Sequence, residues 1–197
     1  MEPKDPKEMT IRFVTPVKWI LHRKRLLAFM AAFGEGAVDG DALRRLAALD
    51  PVLLGRPDRT GAACAVAKLG GGTAGVALAA GRGREAFAVV VHPALRGRGI
   101  GTRLTRALLE RIGALECRVP AADSRAVAMC RRAGMAVIEA PEGADGGFVR
   151  LAGASEPAGV PGAAGVPGAA GVQEPKAEGR TEDTGQASEQ PVRGGEP

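Results

Sequence analysis

The chain has 197 residues, 45% of them hydrophobic, and a net charge of +5, which is room for one domain with its own core plus an extension. Aromatic residues make up only 3% and tyrosine is absent, so alanine, valine and leucine must fill that core. No stretch reaches the roughly eighteen apolar residues of a membrane span. The cysteines, Cys64, Cys117 and Cys130, have neither paired nor metal-ligand spacing, which suits a reduced, cytoplasmic setting without a metal.

In chain order, residues 1–9 are polar with two prolines and read as a disordered N-terminus. Thr10–Val17 reads as a strand and Lys18–Phe33 as an amphipathic helix. The basic start and short apolar run of residues 22–37 imitate a signal peptide, but they begin about twenty residues in and lack a clear cleavage site. A second helix over 40–49 has Asp39 or Asp41 placed to cap it, and Pro51 and Pro57 enforce a loop. Ala62–Leu69 and Thr73–Ala80 are strands joined through Gly70-Gly71-Gly72, a hairpin by its turn chemistry. Arg84–Val91 is the next strand, after the turn Gly81-Arg82-Gly83.

Ile100, Leu104, Leu108 and Ile112 then recur at every fourth position, the stripe of a helix. Leu115–Val119 is a short strand stopped by Pro120, and Asp123 or Ser124 caps a helix that runs to Ala133 before Gly134. Met135–Glu139 and Phe148–Leu151 close as strands around a loop at 141–147. Periodicity by itself gives an α/β chain and no more.

The last part is different material. From Gly159 glycine falls at every third position, collagen-like in period but too short for a triple helix. The remainder is Glu, Gln, Ser, Thr and Pro with little that is apolar, so residues 153–197 are expected to be a disordered tail. Residues 155–197 hold three Lys/Arg against seven Asp/Glu, a balance of −4, so with +5 overall the first 154 residues carry +9.

The informative stretch is Arg96-Gly97-Arg98-Gly99-Ile100-Gly101-Thr102, between the strand that ends at Val91 and the helix after it. A helix start leaves backbone N–H groups without internal partners and carries partial positive charge. Glycines there remove Cβ atoms and permit positive φ, so consecutive N–H groups can converge into a concave nest. With Arg96 and Arg98 beside it, the fitting ligand is a compact polyanion such as a pyrophosphate. A P-loop is excluded because Thr102-Arg103 follow Gly101 where Lys-Ser/Thr is required. The dinucleotide fingerprint would need glycine at Thr102 and an acidic residue about twenty positions on, a place Asp123 fits poorly.

Val91-His92-Pro93 followed by Arg96-Gly97-Arg98-Gly99-Ile100-Gly101 resembles the acetyl-coenzyme A signature of the GNAT superfamily of N-acetyltransferases, R/Q-x-x-G-x-G/A after a strand ending V-x-P. The order βααβββαβαββ extends the resemblance over residues 10–152. It implies a single α/β (α+β) domain with a mixed central sheet of about seven strands flanked by helices. It also implies acetyl-CoA as acetyl donor, with the backbone N–H groups of the turn from Arg96 through Gly97, Arg98, Gly99, Ile100 and Gly101 to Thr102 on the pyrophosphate. The strand residues Val89, Val90 and Val91 would splay open beside the pantetheine arm.

The family's second motif aligns with residues 123–135, with Asp123, Ala126, Met129, Arg132 and Gly134 in register, which adds Asp123 and Ala126 to the coenzyme-binding set. Where a tyrosine commonly protonates the departing thiolate, this chain has Cys130, either the acid or a small buried residue on a helix face. Glu85 lies near where some members place a general base, and is either that base or a solvated strand end. His92 could titrate near neutrality but follows the end of its strand, and His22 has no evident partner.

The implied activity is transfer of an acetyl group to a primary amine of a small molecule or peptide by direct attack on the thioester. The alternative on the same fold is a catalytically weak coenzyme A-binding sensor or interaction module. A basic domain can also mean nucleic acid, but the arginines are scattered and no aromatic platform or helix-turn-helix pattern accompanies them, so a nucleic-acid partner is disfavoured, as is a membrane. A homodimer is compatible with the sequence. The resemblance draws the acceptor pocket from about residues 18–60, which spell no motif. Deletion of residues 155–197 is expected to leave the melting temperature unchanged, because so little apolar surface cannot dock. A loss of several degrees would show that the tail packs on the domain.

Overall fold

The computed structural model describes residues 9–34, 38, 40–141 and 147–155. The chain divides into a unit over Met1–Pro161 and a second over Gly162–Pro197. The second unit lies outside the described residues, as do residues 1–8, the expected cap Asp39 and residues 142–146 of the 141–147 loop.

The elements follow as β1 (Thr10–Phe13), α1 (Pro16–Phe33), α2 (Gly40–Ala47), the single-turn α3 (Pro57–Thr60), β2 (Ala63–Leu69), β3 (Gly72–Ala80), β4 (Ala86–Val91), α4 (Ile100–Ile112), β5 (Ala114–Pro120), α5 (Ser124–Arg132), β6 (Ala136–Glu139) and β7 (Phe148–Ala154). Short 3₁₀ turns occupy Pro51–Gly55, Gly81–Gly83 and Pro93–Leu95. The seven strands divide into two hydrogen-bonded sheets, ordered β1-β2-β3-β4 and β5-β7-β6. Every paired neighbour is antiparallel.

Three boundaries differ from the sequence expectation, each for a local reason. The first strand stops at Phe13 rather than Val17 because Thr15 caps α1, its hydroxyl accepting the Lys18 N–H at 3.4 Å with Pro16 at the first helical position, where a missing N–H costs nothing. Met9, expected in the disordered N-terminus, is buried in the core beneath α4. At the other end β7 continues past residue 152, and the Ser155 N–H donates to Gly113 O at 2.9 Å while its hydroxyl donates to Leu109 O at 3.0 Å. These two bonds tie the strand end to the last turn of α4, so the tail deletion expected to leave the melting temperature unchanged must begin at residue 156 rather than 155.

The β2–β3 hairpin turns on Gly70 and Gly71, at φ +56° and +82° with Leu69 opposite Gly72. Two consecutive positive φ values match the strand twist, and only glycine adopts them without strain. Alternation along these strands then sorts the core. Ala63, Ala65, Ala67, Ala77 and Ala79 turn toward Leu104, Leu108 and Ile112 of α4. Cys64, Val66, Val76 and Leu78 turn the other way, toward Trp19, Leu26 and Met30 of α1 and Leu46 of α2. The alanine carpet lets α4 sit close; a Cβ at Gly75 would stand 3.0 Å from Leu104 Cδ1. A chain with few aromatics therefore fills its core by close helix approach rather than by ring volume.

α1 is less cleanly amphipathic than its sequence suggests, since Val17, Ile20 and Leu21 are exposed on its outer side. In the second sheet the central strand places Arg150 between Glu116 and Glu139, at 2.5 and 2.6 Å, so cross-strand charge pairs supplement a short ladder.

Trp19 is fully buried and its indole N–H has no acceptor among the described residues. A buried orphan donor costs about 1–3 kcal/mol, so Trp19→Phe removes that penalty while giving up some packing. The change in urea unfolding followed by circular dichroism is expected to stay within about 1.5 kcal/mol, against about 3–5 kcal/mol for Trp19→Ala. A phenylalanine variant as unstable as the alanine one would mean the indole N–H is satisfied.

Candidate functional site

β4 is the edge of one sheet and β5 the edge of the other. No ladder joins them, so the outer backbone groups of β4 remain available to an extended ligand. Along β4 the side chain of Val90 is buried toward α1 and α2, while Val89 and Val91 are half-buried on the α4 side. The His92 N–H continues the β3–β4 pairing onto Ala74 O at 2.9 Å, and a 3₁₀ turn over Pro93–Leu95 then reverses the chain into the glycine stretch.

In that stretch Gly97 and Gly99 adopt φ +78° and +75°. No atom lies within 4 Å of where a Cβ would stand at either, so both face open space. Gly99 is the N-cap of α4, and no side chain caps that helix. The first-turn N–H groups of Ile100, Gly101 and Thr102 have no intrahelical acceptor by helix geometry. Together these features make a concave, positively polarised cradle that a Cβ would begin to fill, the form that suits a phosphate.

The third glycine has another reason to exist. Gly101 is helical, and a Cβ there would come within 2.6 Å of Met129 Sδ on α5. This position therefore also lets α5 pack close, whereas the sequence reading treated Gly97, Gly99 and Gly101 alike. Ile100 is likewise buried in the core, so only its backbone reaches the cradle. Thr102 and Arg98 are half-buried. Arg96 is committed to the scaffold: its Nη2 donates to Phe33 O at 2.7 Å and its Nε to Val91 O at 3.2 Å. It thereby ties the last carbonyls of α1 to the end of β4, a favourable place for a cation.

The second motif is brought beside the cradle through Met129. Asp123 Oδ1 accepts the Ala126 N–H at 2.9 Å, so these two expected coenzyme contacts first satisfy each other as the cap of α5. Cys130 is fully buried, and its Sγ lies 3.9 Å from Cys117 Sγ on β5. The contact with Cys130, together with burial, pushes the Cys117 thiol well above its ordinary range. The same contact works downward on Cys130, against burial and Asp123. Cys130 thus sits among core side chains. Sequence reasoning did not pair it with Cys117, because their contact joins β5 to α5 across 13 positions.

Glu85 is exposed at the start of β4, with its carboxyl beside Gly81 and its carbonyl accepting Arg45 Nη1 at 3.1 Å. Val91 lies six residue steps further along the strand, roughly 20 Å at about 3.3 Å per residue. The candidate base and the cradle therefore mark opposite ends of one strand. The His92 ring packs against Phe33 with centroids 4.7 Å apart, and His22 stands on the α1 face of a neighbouring cleft. Among the described residues no group of three or more His, Cys, Asp or Glu could hold a metal ion, and no helix is long and apolar enough to cross a membrane.

Residues 60–134, from the end of α3 to the glycine after α5, match the model of the acetyltransferase (GNAT) domain. Among solved structures, an acetyltransferase of the GNAT family from Streptococcus pneumoniae superposes with a TM-score of 0.52 at 15% identity, over 75% of this chain and 100% of that one. A Bacillus subtilis acetyltransferase in complex with CoA gives 0.49 at 13%, over 76% and 100%. An aminoglycoside acetyltransferase in complex with coenzyme A and kanamycin gives 0.46 at 17%, over 74% and 94%. Among curated proteins, none matches this chain.

All three cysteines are buried, and burial pushes the Cys64 thiol up to about 12. A raised thiol stays protonated below that value, and the thiolate is the reactive form. Cys130, whose thiol the Cys117 contact shifts downward, is kept from a reagent by its complete burial instead, so the folded protein at pH 8 is expected to leave an aromatic disulfide reagent unreduced and to titrate three thiols after unfolding in urea. A fast native-state reaction would show that Cys130 or Cys117 opens to solvent.

Proposed function

We propose that this chain, whose residues 60–134 match the acetyltransferase (GNAT) domain model, transfers an acetyl group from acetyl-CoA to a primary amine by direct attack on the thioester. The observation that carries the reading is the uncapped start of α4, where Gly97 and Gly99 hold positive φ with open space beside them. That cradle takes the pyrophosphate of the donor on backbone N–H groups. The open edge of β4 at Val89, Val90 and Val91 takes the pantetheine arm by strand-like hydrogen bonds.

Acetyl-CoA supplies an activated acyl carbon. The amine nitrogen bonds to that carbon, the C–S bond breaks, and the amine must shed a proton while the departing thiolate gains one. An α-amine of pKa ~7.7 is neutral about one time in six at pH 7, and a lysine of pKa ~10.4 about once in 2,500. The difference is about 3.5 kcal/mol of base assistance. Glu85 is the candidate base, acting directly or through water. With one exposed carboxylate for that task, the chain suits α-amines and other weakly basic amines better than lysine. Cys130, buried on Cys117, is poorly placed as the acid, and a thiolate of ordinary pKa leaves without one.

Two measurements test this. Acetyl-CoA at about a hundred times its dissociation constant should stabilise the fold by about 2.7 kcal/mol, and Gly99→Glu should abolish the effect by placing a side chain and a like charge in the cradle. A thiol-release screen over amino acids, polyamines, aminoglycosides and peptide N-termini should find an acceptor. Stabilisation without thiol release from any amine would instead support the coenzyme A-binding module. Stabilisation that persists in Gly99→Glu would move the pyrophosphate elsewhere.

A further inference from the structure

A second concave site lies away from the glycine cradle, between α1 and the β1–β3 part of the four-stranded sheet. It is a cleft of about 280 Å³ into which Arg12 of β1, Lys18, His22 and Arg25 of α1 and Lys68 of β2 all converge. Among the described residues no acidic side chain lines it. Lys68 Nζ donates to Thr73 Oγ1 at 2.9 Å, whereas the side chains of Arg12, Lys18 and Arg25 make no hydrogen bond or ion pair among the described residues. The floor is apolar, from Phe13, Leu26 and Val66. A second cleft of about 270 Å³ shares Arg25, Leu26 and Thr73 with the first and is otherwise lined by Phe29, Phe33 and His92.

Four permanent cations from three elements line one concavity with no counter-charge among the described residues; Lys68 is half-buried and the other three are exposed. On an open surface such charges are screened and indifferent, but low-dielectric walls focus the field of like charges and attract an anion. The two guanidinium groups add a planar fork that matches a carboxylate or a phosphate. The apolar floor and the ring-lined extension leave room for a body behind the head group.

We propose that this cleft is a binding site for a small organic anion, a carboxylate or phosphate head on an apolar or aromatic body. None of residues 96–102 lines either cleft. Lys18, His22 and Arg25 fall in the 18–60 stretch expected to supply the acceptor pocket, but a cleft of like positive charges disfavours a basic amine, so the inference goes beyond the acetyl-transfer reading and does not depend on it.

The test is calorimetric titration of the full chain at low salt with four probes: phenyl phosphate, benzoate, benzamide and inorganic phosphate. The first two share a ring and differ in head group, benzamide keeps the ring without charge, and inorganic phosphate keeps the head without the ring. At least one ring-bearing anion is expected to bind about tenfold or more tighter than both benzamide and inorganic phosphate, and the better of the two identifies the head group. The pair Arg12→Gln with Arg25→Gln, which keeps most of each stem, should weaken that probe about tenfold or more. The pair Arg23→Gln with Lys24→Gln makes the same change in net charge on α1 outside the cleft, and should leave affinity within about threefold. Circular dichroism and melting checks that both variants fold; if the Arg12/Arg25 pair does not, Lys18→Gln alone should weaken the probe. No probe binding, equal binding of benzamide, equal loss in both pairs, or binding that survives the Arg12/Arg25 pair would each overturn the assignment.

Discussion

Six side chains on one face of α4, Ile100, Leu104, Thr105, Leu108, Leu109 and Ile112, are each no more than 4% exposed, and the two sheets meet on them. The same helix packs on β2, β3 and β4 of the first sheet and on β5 and β7 of the second. With no ladder between β4 and β5, the burial of this stripe substitutes for strand pairing. Each large apolar side chain so buried contributes about 1.5–3 kcal/mol. The arrangement lets a sheet be interrupted in its middle without losing the fold, and the interruption leaves a strand edge free for a ligand.

The position of the cradle follows from that packing. Because Ile100 is anchored in the core, the first turn of α4 cannot drift, and the N–H groups above it are held where β4 ends. The preceding residues then have to reverse direction in little space, which Gly97 and Gly99 do at positive φ. Arg96 fixes the same corner from outside by bonding both α1 and β4. Gly101 completes it by letting α5 approach. A preformed anion site of this kind loses little ordering entropy when it is filled.

Most of the fold was legible because its signals are local. The four-residue stripe of α4, the Gly70-Gly71 turn, the alternation in β2 and β3 and the Asp123 cap each depend on a few neighbouring residues. The Thr15-Pro16 start of α1 was equally readable as a cap followed by proline at the first helical position, but the β-branched run before it suggested a longer strand. What could not be read depends on distant partners. The commitment of Arg96 to Phe33, the burial of Met9, the Cys117–Cys130 contact and the convergence of Arg12, Lys18, Arg25 and Lys68 on one cleft all come from tertiary packing. The two kinds of glycine in the turn show the same limit, because spacing alone does not say which of them faces a ligand and which faces Met129.

The central claim is that backbone N–H groups at the start of α4 receive the donor's phosphates. It is tested most directly by following backbone amide resonances of the labelled protein as coenzyme A is added. Large downfield shifts should concentrate at residues 97–102, with smaller changes along 89–91 at the open strand edge. Shifts that leave the amides of Gly97, Gly99 and Thr102 in place while residues elsewhere respond would contradict it.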